Sequence, residues 1–289
     1  MNKKLYSIIL FVVILFTGLF FLSFNFFHHI LPNNGKVIEG LNPNIQQISN
    51  DANLNNLNLD TSKSTDTNNN ISINVPVLMY HYIRNYTDQT DKIGVNLSVS
   101  PENFSNQLKW LKDNGYQSVN LDYLIRPNSQ ISKPVILTFD DGYVDAFTNA
   151  LPILKKYNFT ATFYVITNFA GTDRYMNWDQ INTLKSNGMI IGSHTLSHPN
   201  LTTINDAKAE MEISDSQKIL EKNIGLKITD FCYPSGKYNA STIDLLKKYN
   251  YTTATTTKSG IYDSTINNLF EIPRLRMTNE TNLSKILSQ

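Results

Sequence analysis

A single cysteine, Cys232, occurs in 289 residues, so no internal disulfide can form. In its apolar setting, "DFCYP", the thiol reads as a small buried core residue. Excess charge of either sign is also missing: 25 basic and 24 acidic side chains leave a net charge of +1. That excludes a nucleic-acid partner held by bulk electrostatics. Histidine is sparse. Of five, His28 and His29 sit beside an N-terminal apolar run, which leaves His81, His194 and His198 for the rest of the chain. No internal repeat recurs.

The N-terminus carries the one long apolar run. Lys3 and Lys4 precede residues 5–27, which contain no charged side chain. Such a run is long enough to span a bilayer as a helix. A cleavable signal has a shorter apolar core followed by small residues. Here Phe26, Phe27, His28 and His29 follow, and no Ala-x-Ala site is present. The expectation is an uncleaved anchor over residues 1–32, lysines inside and the bulk of the chain outside; a cleaved signal peptide is the alternative. Residues 33–74 are rich in Asn, Ser, Thr and Asp and poor in aromatics. They cannot bury a core and read as a disordered linker, reaching roughly 35 Å by the flexible-chain relation.

From Val75 to the end, strand-like and helix-like segments alternate. "VPVLMY", "YQSVN", "PVILTF", "ATFYVI", "MIIGS", "ITDFCY", "YTTATT" and "LFEIPRL" read as strands. Helices are expected after Ser100-Pro101, across Val144–Leu154 with a break or restart at Pro152, after Asn177, over 205–224, and over 240–249. The alternation predicts an α/β domain with a parallel sheet, open or closed into a barrel. In barrels of this kind chemistry gathers at the carboxyl ends of the strands. All three remaining histidines fall at such ends, as do Asp140 and Asp141 in "ILTFDDGY".

The adjacent carboxylates need a reason, because like charges repel and burial of either is costly. A strand end followed by an Asp-Gly turn is the plain reading. "SHTLSH" offers another: His194 and His198, four apart, can close on one cation. The Glu of a His-Glu-x-x-His protease is missing, so that chemistry is not implied. Two imidazoles and one carboxylate make a catalytic rather than a structural metal set. One Asp can then serve as ligand and the other as general base toward an attacking water; a nearby cation eases their juxtaposition.

"LTFDDGY", "SHTLSHPNL", "YPSGKYN" and "IPRLRM" together resemble the polysaccharide deacetylase family (carbohydrate esterase family 4, the NodB homology domain), in order from about Val75 to Met277. The resemblance implies a distorted (β/α) barrel over residues 75–289. It also implies metal-dependent removal of N-acetyl groups from amino-sugar polymers. By that likeness Asp140 is the base, and Asp141, His194 and His198 hold a divalent metal: zinc first, with cobalt, nickel or manganese as alternatives. Tyr233, followed by Pro234, resembles the position whose neighbourhood donates a backbone N–H to the oxyanion.

Two departures matter. Cys232 stands where the family's third motif usually has Arg, and no histidine follows His198. The arrangement resembles that of the poly-β-1,6-N-acetylglucosamine deacetylases, which implies His81 as the acid protonating the leaving amine, with Arg274 as a replacement for the missing Arg. Either residue also has a plainer reading, as a packed strand-end histidine and a solvated surface arginine. Trp178 is a candidate to wall the acid or stack on a sugar, or a core residue of its helix. The expected substrate is an extracellular poly-N-acetylglucosamine at the outer membrane face. Peptidoglycan, chitin oligomers and O-acetyl esters are alternatives, and a glycan-binding module without catalysis is a more distant one.

Overall fold

A computed structural model describes residues 72–287. The apolar N-terminal run and all but the last three residues of the expected linker lie outside the described residues. Among the described residues, no helix is long and apolar enough to cross a membrane.

The strands, in chain order, are β1 (Asn74–Val75), β2 (Val77–Tyr80), β3 (Tyr82–Ile83), β4 (Ser98–Val99), β5 (Gln117–Ser118), β6 (Pro134–Phe139), β7 (Thr162–Val165), β8 (Ile190–Ser193), β9 (Asp230–Cys232), β10 (Thr253–Thr255), β11 (Tyr262–Asp263) and β12 (Leu275–Arg276). The folded part starts earlier than the expected boundary at Val75. Asn74 pairs with Asp263 across β1 and β11, and the Ile73 N–H donates to Ser264 Oγ at 3.0 Å.

The main sheet has the order β10-β9-β8-β7-β6-β2-β12, with β5 also paired to β6. All of these pairs are parallel. One segment meets both edges: Ile272 bridges to Thr255 of β10, and Leu275–Arg276 pair with Leu78–Met79 of β2. The sheet is therefore curled. "LFEIPRL" departs from the expected continuous strand: Pro273 has no N–H to give a ladder. The segment touches β10 through Ile272, then crosses to β2.

Helices return the chain between strands, and local chemistry sets their ends. Ser100 accepts the Asn103 N–H and Pro101 takes the first position of helix Pro101–Asp113. Asn177 and Gln180 form a capping box on helix Trp178–Ser186. Asn205 opens helix Asp206–Ile224, and Gly225 closes it in the left-handed region. Of the two outcomes expected at Pro152, a break or a restart, the structure shows a restart. A π turn over Ala146–Ala150 runs straight into helix Leu151–Tyr157, with Pro152 in its first turn, where a missing N–H costs little.

Period-two alternation sorts the strand residues. Leu78, Tyr80, Leu137, Phe139, Phe163, Val165 and Phe231 join the larger core cluster, which contains the helix residues. Val77, Ile136, Tyr164, Cys232 and Ile272 form a second cluster on the other face, inside the curl. Gly192 of β8 lies against this inner face. A Cβ there would stand 2.5 Å from the Tyr164 ring and 2.9 Å from the Asp230 carbonyl oxygen, and Tyr164 is fully buried. Gly192→Ala should therefore destabilise the fold by roughly 1–3 kcal/mol through overpacking. Thermal unfolding should show a melting temperature several degrees lower; an unchanged one would mean that Tyr164 moves aside freely.

Candidate active site

The parity that builds the sheet also aims the first carboxylate. Ile136, Thr138 and Asp140 alternate along β6 and beyond its end, so Asp140 points into the curl. There it meets Arg274, which is fully buried. Arg274 Nη1 donates to Asp140 Oδ1 and Nη2 to Oδ2, each at 2.7 Å. The guanidinium is itself held: Nε donates to the Thr256 carbonyl at 2.8 Å, Nη1 to Thr138 Oγ1 at 3.0 Å, and Nη2 lies 3.3 Å from Cys232 Sγ. Burial alone would raise the Asp140 carboxyl. The charge and hydrogen bonds of Arg274 outweigh it and hold Asp140 well below the usual carboxylate range. Arg274 is thus no surface residue. Cys232 is fully buried as expected, and the small thiol sits beside the pair, 3.6 Å from Asp140 Oδ2.

By parity alone Asp141 would face the outer layer. Its backbone takes φ 72°, a left-handed turn uncommon for a non-glycine residue, and this returns its carboxylate to the same rim. Asp141 Oδ1 lies 3.4 Å from His194 Nε2 and 3.6 Å from His198 Nε2. The three donor atoms lie within 4.8 Å of one another. Burial would raise the Asp141 carboxyl, but His194 holds it low. His194 Nδ1 is 2.7 Å from the Cys232 carbonyl oxygen, which can only accept, so Nδ1 carries the proton. That leaves Nε2 as the ligating nitrogen, the arrangement expected of a metal histidine. Two imidazole nitrogens and a carboxylate oxygen converging in this way fit a divalent cation with a position left open.

A second grouping, Asp140, His194 and Cys232, is equally compact. It does not fit a metal. Arg274 already occupies both Asp140 oxygens and lies on the Cys232 sulfur, and a second cation beside a fixed guanidinium would be repelled.

His81 follows β2, the neighbour of β6. Its Nε2 lies 3.8 Å from Asp140 Oδ2, and its side chain is 12% exposed. Burial lowers its pKa and the two carboxylates raise it; burial wins, so the direction is downward. Burial also lowers His198, helped by the neighbouring His194.

The loop that carries the histidines has an anchor that motif reading missed. Glu212, on helix Asp206–Ile224 and 2% exposed, accepts the Ser197 N–H at 2.9 Å and the Ser197 hydroxyl at 2.6 Å. Thr195 Oγ1 accepts the His198 N–H at 2.9 Å. Thr195 and His198 both have left-handed backbones, at φ 68° and 60°. A Glu in the second turn of a polar helix carries no signal of this in the sequence.

The groups of Tyr233 and Pro234 themselves are engaged or missing, which leaves their neighbourhood to offer an N–H. The Tyr233 N–H donates to the Thr255 carbonyl at 3.2 Å, its hydroxyl donates to the Phe270 carbonyl at 3.1 Å, and its ring stacks on Tyr238. Tyr233 therefore serves the sheet and the outer core. Pro234 has no N–H to offer and begins a 3₁₀ turn with Ser235 at φ 53°. Trp178 opens its helix half-buried and packs against the larger core cluster, in line with the plainer of its two readings.

Residues 128–254 match the family model described as polysaccharide deacetylase. A solved structure, Streptococcus pyogenes deacetylase PplD in complex with acetate, is 32% identical, with a TM-score of 0.70 over 75% of this chain and 97% of that one. YxkH of Bacillus subtilis, named after the same family, is 33% identical over 64% of this chain and 65% of its own length. The poly-β-1,6-N-acetyl-D-glucosamine N-deacetylase of Staphylococcus aureus (strain MRSA252) is 29% identical over 59% of this chain and 68% of its own. The chain belongs to the polysaccharide deacetylase family, a family of hydrolases.

Two outcomes follow from the pairings described. Arg274→Met leaves a buried carboxylate without its cation, a loss of about 3–5 kcal/mol at neutral pH. In the native chain the folded pKa of Asp140 is depressed, so its stabilisation is complete above the unfolded value, near ~3.9, and fades as pH falls toward the folded one. In the variant, burial raises that pKa and protonation relieves the penalty. The stability difference between the two, from urea unfolding, should therefore be largest near neutrality and shrink in acid; a difference independent of pH would rule out Asp140 as the group concerned. Glu212→Gln can accept only one of the two Ser197 bonds without repacking. Its affinity for zinc, read by chelator competition, should fall about 10–100-fold with unchanged helix content. Undiminished affinity would mean that Glu212 does not position the loop.

Proposed function

We propose that the chain is a metal-dependent N-deacetylase acting on an extracellular amino-sugar polymer, with poly-N-acetylglucosamine as the substrate. One observation carries the reading: beside a convergent Asp141, His194 and His198 set stands an ionised carboxylate, Asp140, that Arg274 keeps out of that set. A module that only bound glycans would have no use for a spare base at that point. The Staphylococcus relative's named activity supports this choice of polymer. The curled sheet is read as the distorted (β/α) barrel of the NodB homology type, and residues 5–27 as the segment that tethers the enzyme at the outer membrane face.

Asp141, His194 and His198 would hold the cation, zinc being the best match to two nitrogen donors and one oxygen. When bound, it supplies Lewis acidity toward the acetyl carbonyl and toward water. Asp140 is ionised throughout the working range and accepts the proton of the attacking water. Its depressed pKa makes it a transient carrier only. The proton's next station is His81 Nε2, 3.8 Å away. Burial lowers the pKa of His81, so the proton it delivers is one gained during turnover. Once protonated, His81 is a strong acid and delivers the proton to the departing sugar nitrogen, which is a very poor leaving group without it. An oxyanion donor from the turn after β9 would come from Ser235 N–H, since the Tyr233 N–H is engaged in the sheet and Pro234 has none. Products are acetate and a glucosamine unit, largely cationic at neutral pH.

Acetate release should be measured on poly-N-acetylglucosamine, peptidoglycan, chitin oligomers and an activated acetyl ester, with and without chelator. The native enzyme should act best on the first and lose activity with chelator. His81→Ala should lower kcat on the polymer by about 10²–10⁴-fold, the range for a general acid, with metal content retained and far less loss on the ester. Equal losses on both substrates would remove His81 from the acid role; chelator-resistant turnover would sink the metal-dependent reading.

A further inference from the structure

His81 sits where the chain leaves the main sheet, and what fixes it there is unused by the chemistry above. On its N-terminal side the hold is the sheet: the Tyr80 carbonyl accepts the Asp140 N–H at 3.0 Å. On its C-terminal side the chain enters β3, whose strand partner among the described residues is the two-residue β4. A second hold comes from side chains. Ile83 is fully buried, so its backbone groups need partners. Asn149 Nδ2 donates to the Ile83 carbonyl at 2.7 Å.

Asn149 belongs to the π turn Ala146–Ala150, a rare winding that is frequent at functional sites. Asp145, four residues before Asn149, opens that turn and faces the same strand residue. Burial raises its carboxyl to about 6, and the Ile83 N–H is the foremost group pulling it back. Asp145 Oδ1 is buried without a hydrogen-bond partner. A carboxylate kept in such surroundings is costly, and neither the metal set nor the proton path above employs it. The two side chains, at the spacing that shares a helix face, thus address both backbone groups of Ile83. Tyr82, between His81 and Ile83, stacks on Tyr143 with ring centroids 3.7 Å apart. Tyr143 stacks in turn on Tyr175, and Arg84 lies over the Tyr82 ring, so the contacts form a column. His81 is therefore gripped from both sides by one continuous segment, residues 140–149, which begins with the carboxylate His81 must face.

We propose that Asp145 and Asn149 are positioning residues for His81: by holding the N–H and the carbonyl of Ile83 they keep the imidazole in register with Asp140. The inference rests on the deacetylase reading for the role of His81. Proton transfer needs hydrogen-bond reach, and His81 Nε2 stands 3.8 Å from Asp140 Oδ2. A further displacement on the order of 1 Å can cost ~10²-fold. The clamp touches neither His194 nor His198, so its loss should spare the metal set. It should also spare an activated ester, whose leaving group needs no acid.

The test uses the full chain loaded with zinc. Asn149→Leu removes the donor at similar volume and leaves the Ile83 carbonyl without it. Asp145→Leu removes the acceptor, whereas Asp145→Asn keeps an oxygen for the Ile83 N–H. Each Leu variant should lower kcat on poly-N-acetylglucosamine about 10–10²-fold, with zinc affinity near native and far less loss on an activated acetyl ester. Asp145→Asn should restore most of the polymer activity. In histidine NMR spectra the His81 ring signals should shift in both Leu variants while those of His194 and His198 hold. Should Asn149→Leu fail to fold, Asn149→Ser, which lets water reach the carbonyl, should show the same split in weaker form. Native polymer turnover in the Leu variants, equal losses on polymer and ester, or unmoved His81 signals would overturn the clamp. Asp145→Asn as damaged as Asp145→Leu would overturn the part assigned to Asp145. Failure of the activity reading is visible separately: if the native chain released acetate from neither substrate, the deacetylase function would fall, and the His81 signals alone would decide the clamp.

Discussion

The buried pair between Arg274 and Asp140 is the constraint on which the rest depends. Taking a guanidinium and a carboxylate out of water is expensive, and neither can remain inside the curl without the other. The pair is tolerated because its geometry is bidentate and its remaining donors are used: Thr138, the Thr256 carbonyl and Cys232 take what Asp140 does not. Its partners come from β6, the end of β10, the end of β9 and the segment before β12. One ion pair thus ties both edges of the curled sheet to its middle. It also separates the two aspartates chemically, because a carboxylate clamped by a guanidinium stays ionised and stays off a metal.

The rim around that pair is built from unfavourable backbone. Asp141, Thr195 and His198 all take left-handed conformations without being glycine, at about 1–3 kcal/mol each by the usual range for such strain. What offsets them is local and buried. Asp141 gains the two histidine contacts, and the histidine loop is held by Glu212 and by the Thr195 hydroxyl. Strain of this kind fixes three donor atoms on one point. It also explains why the site is carried by loops directly at strand ends, where little chain is free to relax.

The column of Tyr175, Tyr143, Tyr82 and Arg84 extends that order outward. Tyr82 follows His81 and Tyr143 lies two residues past Asp141, so the column is fixed in register with the candidate site. Stacked aromatic faces resist deformation, since each ring is confined by the next.

Much of this was legible in the sequence because its causes are local. Caps at Ser100, Asn177 and Asn205, the terminating Gly225, and the alternation of strands and helices act over a few residues, and they placed most elements correctly. The spacing of His194 and His198 and the doubling of Asp140 and Asp141 likewise marked the site, since a metal set and a spare base need those residue types close together. The misses have causes that no short window contains. Pro273 broke an expected strand because its segment serves two sheet edges at once. Whether Pro152 breaks or restarts its helix was open, because the π turn that precedes the restart has no local mark. Tyr233 marked a neighbourhood, but which of its N–H groups is free was hidden, because the Tyr233 N–H and hydroxyl are consumed by strand and loop neighbours that only the folded sheet supplies. Glu212 carried no local mark, and Arg274 was marked only by a motif likeness that left its surroundings open. The partner of Arg274 lies 134 residues away, and whether an arginine is a solvated surface group or the buried counter-charge of a carboxylate depends on which strands the curl brings together. Sequence by itself determined which chemical groups are present and how each short segment begins and ends, because those follow from covalent neighbours. Tertiary structure alone decided which carboxylate is clamped and which is free to bind a metal, because that choice is made by a charge delivered from the opposite end of the chain.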